Sequence, residues 1–291
     1  VYSRNRRPTS CRPHLRRRLA APVISIGNLT VGGSGKTPLA AAVTRLLLEM
    51  GERPAILSRG YARRKPSDGV VIVSDGRRIQ SDVEHSGDEP FMLARMVPQA
   101  LVLVSASRYV AGRLAESRLG ATVHILDDGF QHFDLMRDID LLVAPESLDD
   151  VRTLPSGRFR EPLDAASAAD ALLIDRVAQD FSPVAARLHV ATVFEFSRRL
   201  TGRAPDRPAF AFAGIARPER FFSDLDTSGW RLAGRRSFRD HHHYSSRDIE
   251  ELSRAARALG AEVMLTTEKD AVRLSSDDAG LPVVAMPLET T

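Results

Sequence analysis

The sequence predicts an α/β protein in which a mostly parallel sheet is flanked by helices and is followed by a second, smaller α/β domain. Short runs rich in Val, Ile and Leu alternate with helical patterns from residue 23 to about 195. These runs are apolar throughout, which is typical of strands buried on both faces of a parallel sheet. A polar stretch at 197–208, with one glycine and two prolines, predicts a linker to the second domain. Ligand sites of such a sheet lie at the carboxyl ends of its strands.

The first domain is predicted over 21–200. Its strands are expected at "PVISIG" (22–27), "PAIL" (54–57), "ALVLV" (100–104), "TVHIL" (122–126), "IDLLVA" (139–144) and "ALLID" (171–175). Its helices are expected from Pro38 to a stop at Gly51, from Glu89 to Met96, and over 107–119.

Two details of this domain are also predicted. The first helix should present one apolar face made of Leu39, Val43, Leu46, Leu47 and Met50. The stretch 69–80 should form a hairpin that turns at Asp75-Gly76 and is inserted beside the main sheet.

The second domain is predicted over 208–291. Strands are expected at 209–214, 262–267 and 282–288, and helices at 217–227 and 245–259, the latter with a serine cap.

Composition narrows the class of protein. The single cysteine, Cys11, excludes an internal disulfide and is typical of a reducing compartment. No apolar run approaches the ~18 residues that a membrane-spanning helix needs, and no signal peptide is visible. A cytosolic location is therefore expected.

Residues 1–20 form a basic segment. The arginines between residues 4 and 18 have no acid among them and are Arg4, Arg6, Arg7, Arg12, Arg16, Arg17 and Arg18. Two interpretations stay open: a solvated tail, or a segment drawn to anionic lipid at the membrane surface.

The stretch "GNLTVGGSGKTP" (27–38) has the pattern of a phosphate-binding loop between a strand and a helix. Its glycines let backbone N–H groups face an anion at the helix start, while Lys36 would reach the β- and γ-phosphates and Thr37 would bind Mg²⁺. Thr30 stands where the general pattern has glycine, but Gly32-Gly33 supplies the tight backbone one step later. The predicted nucleotide-binding residues are Gly32, Gly33, Ser34, Gly35, Lys36 and Thr37. The first domain is thus expected to be of the P-loop NTPase type.

Two adjacent acids, Asp127 and Asp128, follow the predicted strand at 122–126. A Mg²⁺-nucleotide site needs an acid at the end of a neighbouring strand, and two adjacent carboxylates are costly unless a cation or hydrogen bonds compensate them. A turn-capping role for Asp127 is the alternative. The sequence leaves open which of the two would bind the metal.

Other motifs bear on what receives the phosphate. A GTPase would carry Asn-Lys-x-Asp, whereas the nearest string, "TEKD" (267–270), has glutamate in place of the lysine. A kinase needs a base near the acceptor hydroxyl, and "HSGDEP" (85–90) offers Asp88 and Glu89 at a helix start, where capping by Asp88 is the alternative. The histidines of "FRDHHHY" (238–244) are consecutive and could not all face one metal ion.

Eight blocks occur in a characteristic order and spacing. They are "GNLTVGGSGKTP", "LSRGYARR" (57–64), "GDEP" (87–90), "LDDGFQH" (126–132), "LPSGRFREP" (154–162), "AGIARPERFF" (213–222), "FRDHH" (238–242) and "TTEKDAVR" (266–273). Together they resemble the tetraacyldisaccharide 4′-kinase (lipid A 4′-kinase) family, from about residue 20 to the end. The Thr30 departure is itself this family's form.

The resemblance implies transfer of the γ-phosphate of ATP to the 4′-hydroxyl of a tetraacylated glucosamine disaccharide 1-phosphate, giving lipid IVA. It implies that Asp88 and His241 are the catalytic pair and that Lys36 and Thr37 serve the phosphates and Mg²⁺. The residues implied near the metal and the nucleotide, or elsewhere near the active site, are Asp127, Asp128, Glu161, Gln131 and His132. Residue type and loop position suggest Arg59 and Arg108 as further phosphate contacts.

Asp88 and His241 belong to different predicted domains. We therefore expect domain closure to assemble the base around bound substrates and to exclude water.

Members of the family generally begin with an apolar, membrane-associated helix, in contrast to the basic segment here. Either the start is truncated, or attachment rests on the basic segment and the acylated substrate. The expected location is the cytoplasmic face of the bacterial inner membrane, with no obligate protein partner implied.

The competing hypothesis is a phosphate-loop ATPase or GTPase that drives a partner, such as a metallochaperone with the histidine run as its metal store. The missing guanine motif, the single cysteine and the lack of a histidine-rich tail argue against it. No nucleic acid is expected as a partner, because the basic residues cluster in one terminal segment without interleaved aromatics.

Overall fold

A computed structural model describes residues 16–33, 35–61, 63–145, 147–176, 181–202, 207–274 and 280–291, although not the side chains of 181–183. The chain divides into two compact units. One comprises the residues up to Ser197 together with Thr290–Thr291, and the other comprises Arg198–Glu289. No described helix is long and apolar enough to cross a membrane.

The first unit alternates strands and helices. In chain order its elements are β1 (Val23–Asn28), α1 (Lys36–Glu49), β2 (Pro54–Ser58), β3 (Val71–Asp75), α2 (Val83–Ser86), α3 (Asp88–Met96), β4 (Leu101–Val104), α4 (Arg108–Leu119), β5 (Val123–Asp127), β6 (Ile139–Val143), a 3₁₀ helix (Leu163–Ala168), β7 (Ala171–Asp175), α5 (Phe181–Leu188) and β8 (Val193–Phe196). The strands form one eight-stranded sheet in the order β3-β4-β2-β5-β1-β6-β7-β8.

The described pairings in this sheet are parallel except that of β3 with β4. Side chains alternate between two core layers, as the period of two in a strand requires. On β2, Ile56 packs with Leu39 of α1 and Leu93 of α3, whereas Leu57 packs with Ala111 of α4. The sheet is therefore buried on both faces, as the apolar runs predicted.

The first helix differs from its prediction. It begins at Lys36, two residues before Pro38, because Gly35 adopts a left-handed conformation (φ 76°) that starts the helix. Its fully buried residues are Leu39, Ala40, Ala41 and Thr44. Leu46 and Met50, predicted on the apolar face, are 58% and 76% exposed. Small side chains face the sheet because they allow a close approach, which a count of large apolar residues overlooks.

The predicted hairpin at 69–80 also differs in detail. The chain turns at Gly76 (φ 79°), but the returning arm is reduced to a single bridge between Ser74 and Ile79. The outgoing arm, β3, pairs antiparallel with β4 and is the edge strand of the main sheet, so the prediction of an insertion beside that sheet is wrong.

Part of the predicted basic segment is described and packs on the first unit. Arg17 forms a bridge with Leu135, and its guanidinium lies 5.1 Å from the centre of the Tyr109 ring. Leu19 is buried, and Arg18 Nη2 lies 3.1 Å from Asp138 Oδ1. Residues 16–19 are therefore in contact with the first unit, although Arg17 and Arg18 are exposed to solvent. Cys11 and the arginines before Arg16 lie outside the described residues.

The second unit contains β9 (Arg198–Leu200), β10 (Ala209–Ala213), α6 (Pro218–Thr227), β11 (Leu232–Ser237), α7 (Ser246–Ala258), β12 (Val263–Thr267), α8 (Glu268–Ala271), β13 (Val283–Met286) and β14 (Leu288–Thr290). A four-stranded parallel sheet runs in the order β11-β10-β12-β13. The predicted cap of α7 is confirmed: the Ser245 side chain accepts from Asp248 N, and Asp248 returns the contact as a capping box.

Two predictions at the edges of this unit need correction. Residues 198–200, assigned to the linker, form β9, which pairs with β14. The last predicted strand is interrupted at Pro287, since proline has no N–H for a sheet, and it appears as β13 and β14.

Candidate active site

The phosphate loop connects β1 to α1 and is held along its first half by a distant segment. Thr30 pairs with Phe159 in an antiparallel bridge. The neighbouring backbone bonds are Val31 N to Arg158 O at 2.9 Å and Arg160 N to Leu29 O at 2.6 Å. This strand-like pairing explains why Thr30 replaces glycine, since an extended residue needs no glycine. Gly32 (φ 103°) and Gly35 supply the left-handed turns, while Ser34 lies outside the described residues.

Lys36 lies at the N-terminus of α1 and is held at the loop by polar side chains. Its Nζ donates to Asn28 Oδ1 at 3.0 Å and lies 3.4 Å from Asp128 Oδ1. Asn28 in turn donates to Thr30 Oγ1 at 3.1 Å. Asn28, which the sequence analysis did not single out, therefore fixes the lysine from the last position of β1.

Asp127 is the last residue of β5 and is 3% exposed. Burial raises the pKa of Asp127 to about 7, and the nearby Glu89 and Asp128 carboxylates add to this effect. Its Oδ1 is buried and accepts no hydrogen bond from the part of the chain that the structure describes. A buried carboxylate oxygen of this kind is a ready ligand for a cation.

The pKa of Asp128 is shifted in the opposite direction from that of Asp127. Asp128 adopts a left-handed conformation (φ 53°) and accepts from Arg160 Nη1 at 2.9 Å (Oδ1) and 2.7 Å (Oδ2). Burial alone would raise the pKa of Asp128, but Lys36 and Arg160 outweigh it and hold the pKa below its usual range. Asp128 is therefore an ionised partner of two cations, and Arg160 is a site residue that sequence reasoning did not single out.

The turn after Asp128 carries Gln131 and His132. Gln131 donates to Asn28 O at 2.8 Å and accepts from Arg160 Nη1 at 3.1 Å, so it joins the loop to the arginine. Burial, followed by the charge of Arg108, lowers the pKa of His132 to about 4. His132 is therefore neutral at physiological pH.

Arg59 and Arg108 follow the carboxyl ends of β2 and β4. Arg108, the first residue of α4, is 5% exposed, and burial together with the charge of Arg59 lowers its pKa to about 10. Asp128 and Asp127 act on the same guanidinium in the opposite direction. Two neighbouring guanidiniums repel each other, so an anion placed between them would be favoured.

Three further acids of the first unit were predicted at the site: Asp88, Glu89 and Glu161. Asp88 is the first residue of α3 and is buried, but the cap position belongs to Gly87 (φ 87°), so the capping interpretation of Asp88 is wrong. Glu89 raises the pKa of Asp127 through its charge, and Glu161 raises that of Arg137 in the same way. Among the described residues, no three His, Cys, Asp or Glu side chains are grouped to hold a metal ion.

His241 lies in the second unit, after β11, and has a left-handed backbone (φ 60°). Its Nδ1 lies 3.4 Å from Arg273 Nη2, and its Nε2 lies 3.4 Å from Lys269 Nζ and 3.9 Å from Asp240 Oδ1. The neighbouring His242 instead stacks on Phe238 at 4.5 Å between ring centres. The pairing of His241 with Asp88 stays a prediction.

Comparison with known proteins identifies the family. The family described as tetraacyldisaccharide-1-P 4′-kinase (LpxK) matches residues 1–291. The tetraacyldisaccharide 4′-kinase of Desulfotalea psychrophila is 38% identical over 291 residues, covering 93% of this chain and 83% of the relative. That of Geobacter metallireducens is 41% identical over 271 residues, covering 89% and 80%.

A solved structure agrees with these relatives. A crystal structure of LpxK from Aquifex aeolicus in complex with ATP superposes with a TM-score of 0.80 and 32% identity, covering 100% of this chain and 91% of that one. The chain therefore belongs to the tetraacyldisaccharide-1-P 4′-kinase family.

Proposed function

We propose that this chain transfers the γ-phosphate of ATP to the 4′-hydroxyl of tetraacyldisaccharide 1-phosphate and so gives lipid IVA. The observation that carries the proposal is the meeting of Lys36, Asp127 and Asp128 at the adjacent carboxyl ends of β1 and β5, directly behind the phosphate loop. A lysine and acids at this position are the parts that phosphoryl transfer from a nucleotide requires.

The nucleotide phosphates would be bound by the loop. The backbone N–H groups of Gly32, Gly33 and Gly35 precede α1, whose N-terminus favours anions. Lys36 would then exchange part of its contact with Asn28 and Asp128 for the β- and γ-phosphates. Because Arg160 also binds Asp128, the carboxylate keeps a cationic partner when the lysine moves to the nucleotide.

We propose Mg²⁺ as the metal, held by Thr37 and Asp127. The buried Oδ1 of Asp127 supports this assignment, whereas Asp128 is already bound to Arg160 and Lys36. One carboxylate and one hydroxyl are enough, because Mg²⁺ keeps several waters and takes its other ligands from substrate phosphates. When bound, the ion would neutralise charge on the β- and γ-phosphates. Glu161 would act from farther away, through its charge.

Arg108 and Arg59 would stabilise the phosphoryl group in transit. Charge develops on its equatorial oxygens in the transition state, and fixed guanidiniums stabilise that charge without reorganising. The burial of Arg108 and its repulsion from Arg59 support this role.

Asp88 is proposed to accept the proton of the acceptor hydroxyl, with His241 as its partner. The burial of Asp88 at the start of α3 supports the role, since a carboxylate in a site that excludes water accepts its proton from the substrate and not from solvent. Because the acceptor carries acyl chains, the reaction is proposed to occur at the cytoplasmic membrane surface, and Mg²⁺-ATP to arrive from the aqueous side.

The experiment is transfer of labelled γ-phosphate from Mg²⁺-ATP to tetraacyldisaccharide 1-phosphate in detergent micelles. The wild type should give a bisphosphorylated lipid, and Asp88→Asn should lose at least about 10²-fold in turnover, in line with removal of a general base. Asp150→Asn, which changes an exposed acid paired with Arg152, is the matched control and should retain activity. ATP hydrolysis without a lipid product would overturn the proposed acceptor.

A further inference from the structure

The "TEKD" string, which does not specify guanine, has a structural role in the second unit. We propose that Arg273, held by the buried Asp270, is a positioning residue that fixes the orientation and the tautomer of His241. This inference rests on the proposed function, in which His241 serves the phosphoryl transfer.

Asp270 is buried and lies among hydrogen-bond donors at the carboxyl ends of β10 and β12. Its Oδ1 accepts from Gly214 N and from the Tyr244 hydroxyl, each at 3.0 Å, and its Oδ2 accepts from Thr267 Oγ1 at 2.6 Å. Arg273 Nη1 lies 3.3 Å from Oδ1, and both side chains of this pair are 0% exposed. Burial and the Asp270 charge raise the pKa of Tyr244, so the hydroxyl stays a donor.

Arg273 connects the hydrogen bonds around Asp270 to the imidazole ring of His241. Its Nη1 donates to Gly214 O at 3.0 Å while its Nη2 lies 3.4 Å from His241 Nδ1. A guanidinium carries only donors and does not lose its proton in proteins, so Nδ1 must present its lone pair. The proton of the neutral ring is then on Nε2.

Lys269 faces the other ring nitrogen of His241, but it constrains the imidazole less than Arg273 does. Its Nζ lies 3.4 Å from Nε2, yet it has an alternative acceptor in Asp240 Oδ1 at 3.8 Å. Its stem is flexible and its side chain is 20% exposed, whereas the Arg273 guanidinium is fixed by two acceptors. Arg273 therefore decides which nitrogen carries the proton.

The backbone of His241 is tied to the same centre. Gly214 O accepts from His241 N at 3.1 Å as well as from Arg273. A Cβ on Gly214 would lie 3.0–3.1 Å from Tyr244, Asp270 and His242, so a side chain there would be tightly packed and its neighbours would have to shift by a few tenths of an ångström. Buried ion pairs add little net stability compared with apolar groups of similar volume. The one found here is accounted for by the orientation that it gives to His241.

The first test is the tautomer of His241 in the wild-type enzyme, read from ¹⁵N chemical shifts of the histidine rings and assigned with His241→Gln. At a pH where the ring is neutral, the expected result is a proton on Nε2. A proton on Nδ1 overturns the inference, and both outcomes are read from the wild-type protein.

The second test uses Arg273→Met, with Arg257→Met as the control because Arg257 makes an exposed bond to Gly280 O. Arg273→Met should populate both tautomers and lower kcat about 10- to 100-fold, as loss of an orienting partner typically does, with KM for ATP unchanged. Added guanidinium should restore part of kcat and the Nε2 tautomer. Some loss of thermal stability is expected, since Asp270 loses its cationic partner. A kcat of folded Arg273→Met equal to that of wild type, or a His241 tautomer unchanged in this variant, contradicts the proposal.

The two levels of the proposal can fail separately. If His241→Gln keeps turnover within a few-fold, the role of His241 in the proposed function is wrong, while the tautomer result still tests Arg273. If wild type has the other tautomer but His241→Gln is inactive, the positioning role alone is wrong.

Discussion

The carboxyl edges of the two sheets both carry buried charges, but those charges are satisfied to different degrees. In the second unit, Asp270 receives donors on both oxygens and shares Gly214 with Arg273. In the first unit, Asp127 Oδ1 has no hydrogen-bond donor among the described residues, and Arg108 lies in the field of Arg59. The two edges thus differ in hydrogen bonding: both oxygens of the buried Asp270 have donors, whereas one buried oxygen of Asp127 has none among the described residues.

The largest expected effect concerns the buried ion pair at the carboxyl edge of the second sheet. Asp270→Ala removes one partner of a buried ion pair and leaves Arg273 uncompensated, which should lower the free energy of unfolding by about 3–5 kcal/mol. Chemical denaturation followed by circular dichroism measures it. The control Asp226→Ala breaks an exposed pair with Arg235 and should change stability by less than about 1 kcal/mol. Equal, small effects would mean that the buried pair contributes no more than a surface one.

The next effect concerns the carboxyl edge of the first sheet and is measured as kcat. Lys36→Met should lower kcat about 10²- to 10³-fold, because it removes a fixed positive charge from the developing phosphate charge. Folding should be little affected, since Asp128 keeps Arg160. Phosphoryl transfer under saturating ATP and thermal unfolding measure the two outcomes. Lys65→Met, at an exposed pair with Glu84, is the control. If Lys36→Met lowers Tm strongly but the folded variant keeps its kcat, the assigned role of Lys36 is wrong.

The residues at these two carboxyl edges could not be predicted equally well from the sequence. The loop, Lys36 and the acids at 127–128 follow from a local order of strand, glycine-rich turn and helix, and the structure places them together at adjacent strand ends. Arg160 was not singled out because it reaches Asp128 only through the pairing of 158–160 with 29–31, which no local pattern encodes.

The second edge shows the same limit. The string 267–270 was compared with a guanine motif and belongs to one block of the family resemblance, but neither comparison gave its residues a role. That role depends on Gly214 and His241, which are distant in sequence. The exposed Leu46 and Met50 of α1 show that apolar periodicity identifies a helix more reliably than it identifies the face that packs. Local chemistry was thus predictable, and contacts set by topology were not.

A smaller effect separates the two adjacent carboxylates of the first edge. The raised pKa of Asp127, to about 7, means that the folded state binds more protons than the unfolded state between about pH 4 and 7, so Asp127 reduces stability as pH rises through that window. Without metal at pH 8, Asp127→Asn should therefore raise Tm by a few degrees. Asp128→Asn should lower Tm, because the pKa of Asp128 is held down by Lys36 and Arg160.

Thermal scans of both variants in the presence of a chelator measure these shifts. With Mg²⁺-ATP added, the ligand-induced rise in Tm should be reduced in Asp127→Asn, since the proposed metal ligand is lost. If the Tm of both variants shifts in the same direction, the proposed difference between Asp127 and Asp128 is wrong.

The smallest effect concerns His132, a half-buried residue after β5 that charges only in acid. Its pKa, lowered to about 4, lies below the value of about 6.5 for an unfolded histidine, so the unfolded state binds more protons between these values. The stability that neutral His132 allows is complete above pH 6.5 and is lost as pH falls towards 4. His132→Asn, which cannot charge, should flatten the fall in Tm between pH 7 and 5. If His132→Asn keeps the wild-type slope, the fall in Tm between pH 7 and 5 does not come from His132.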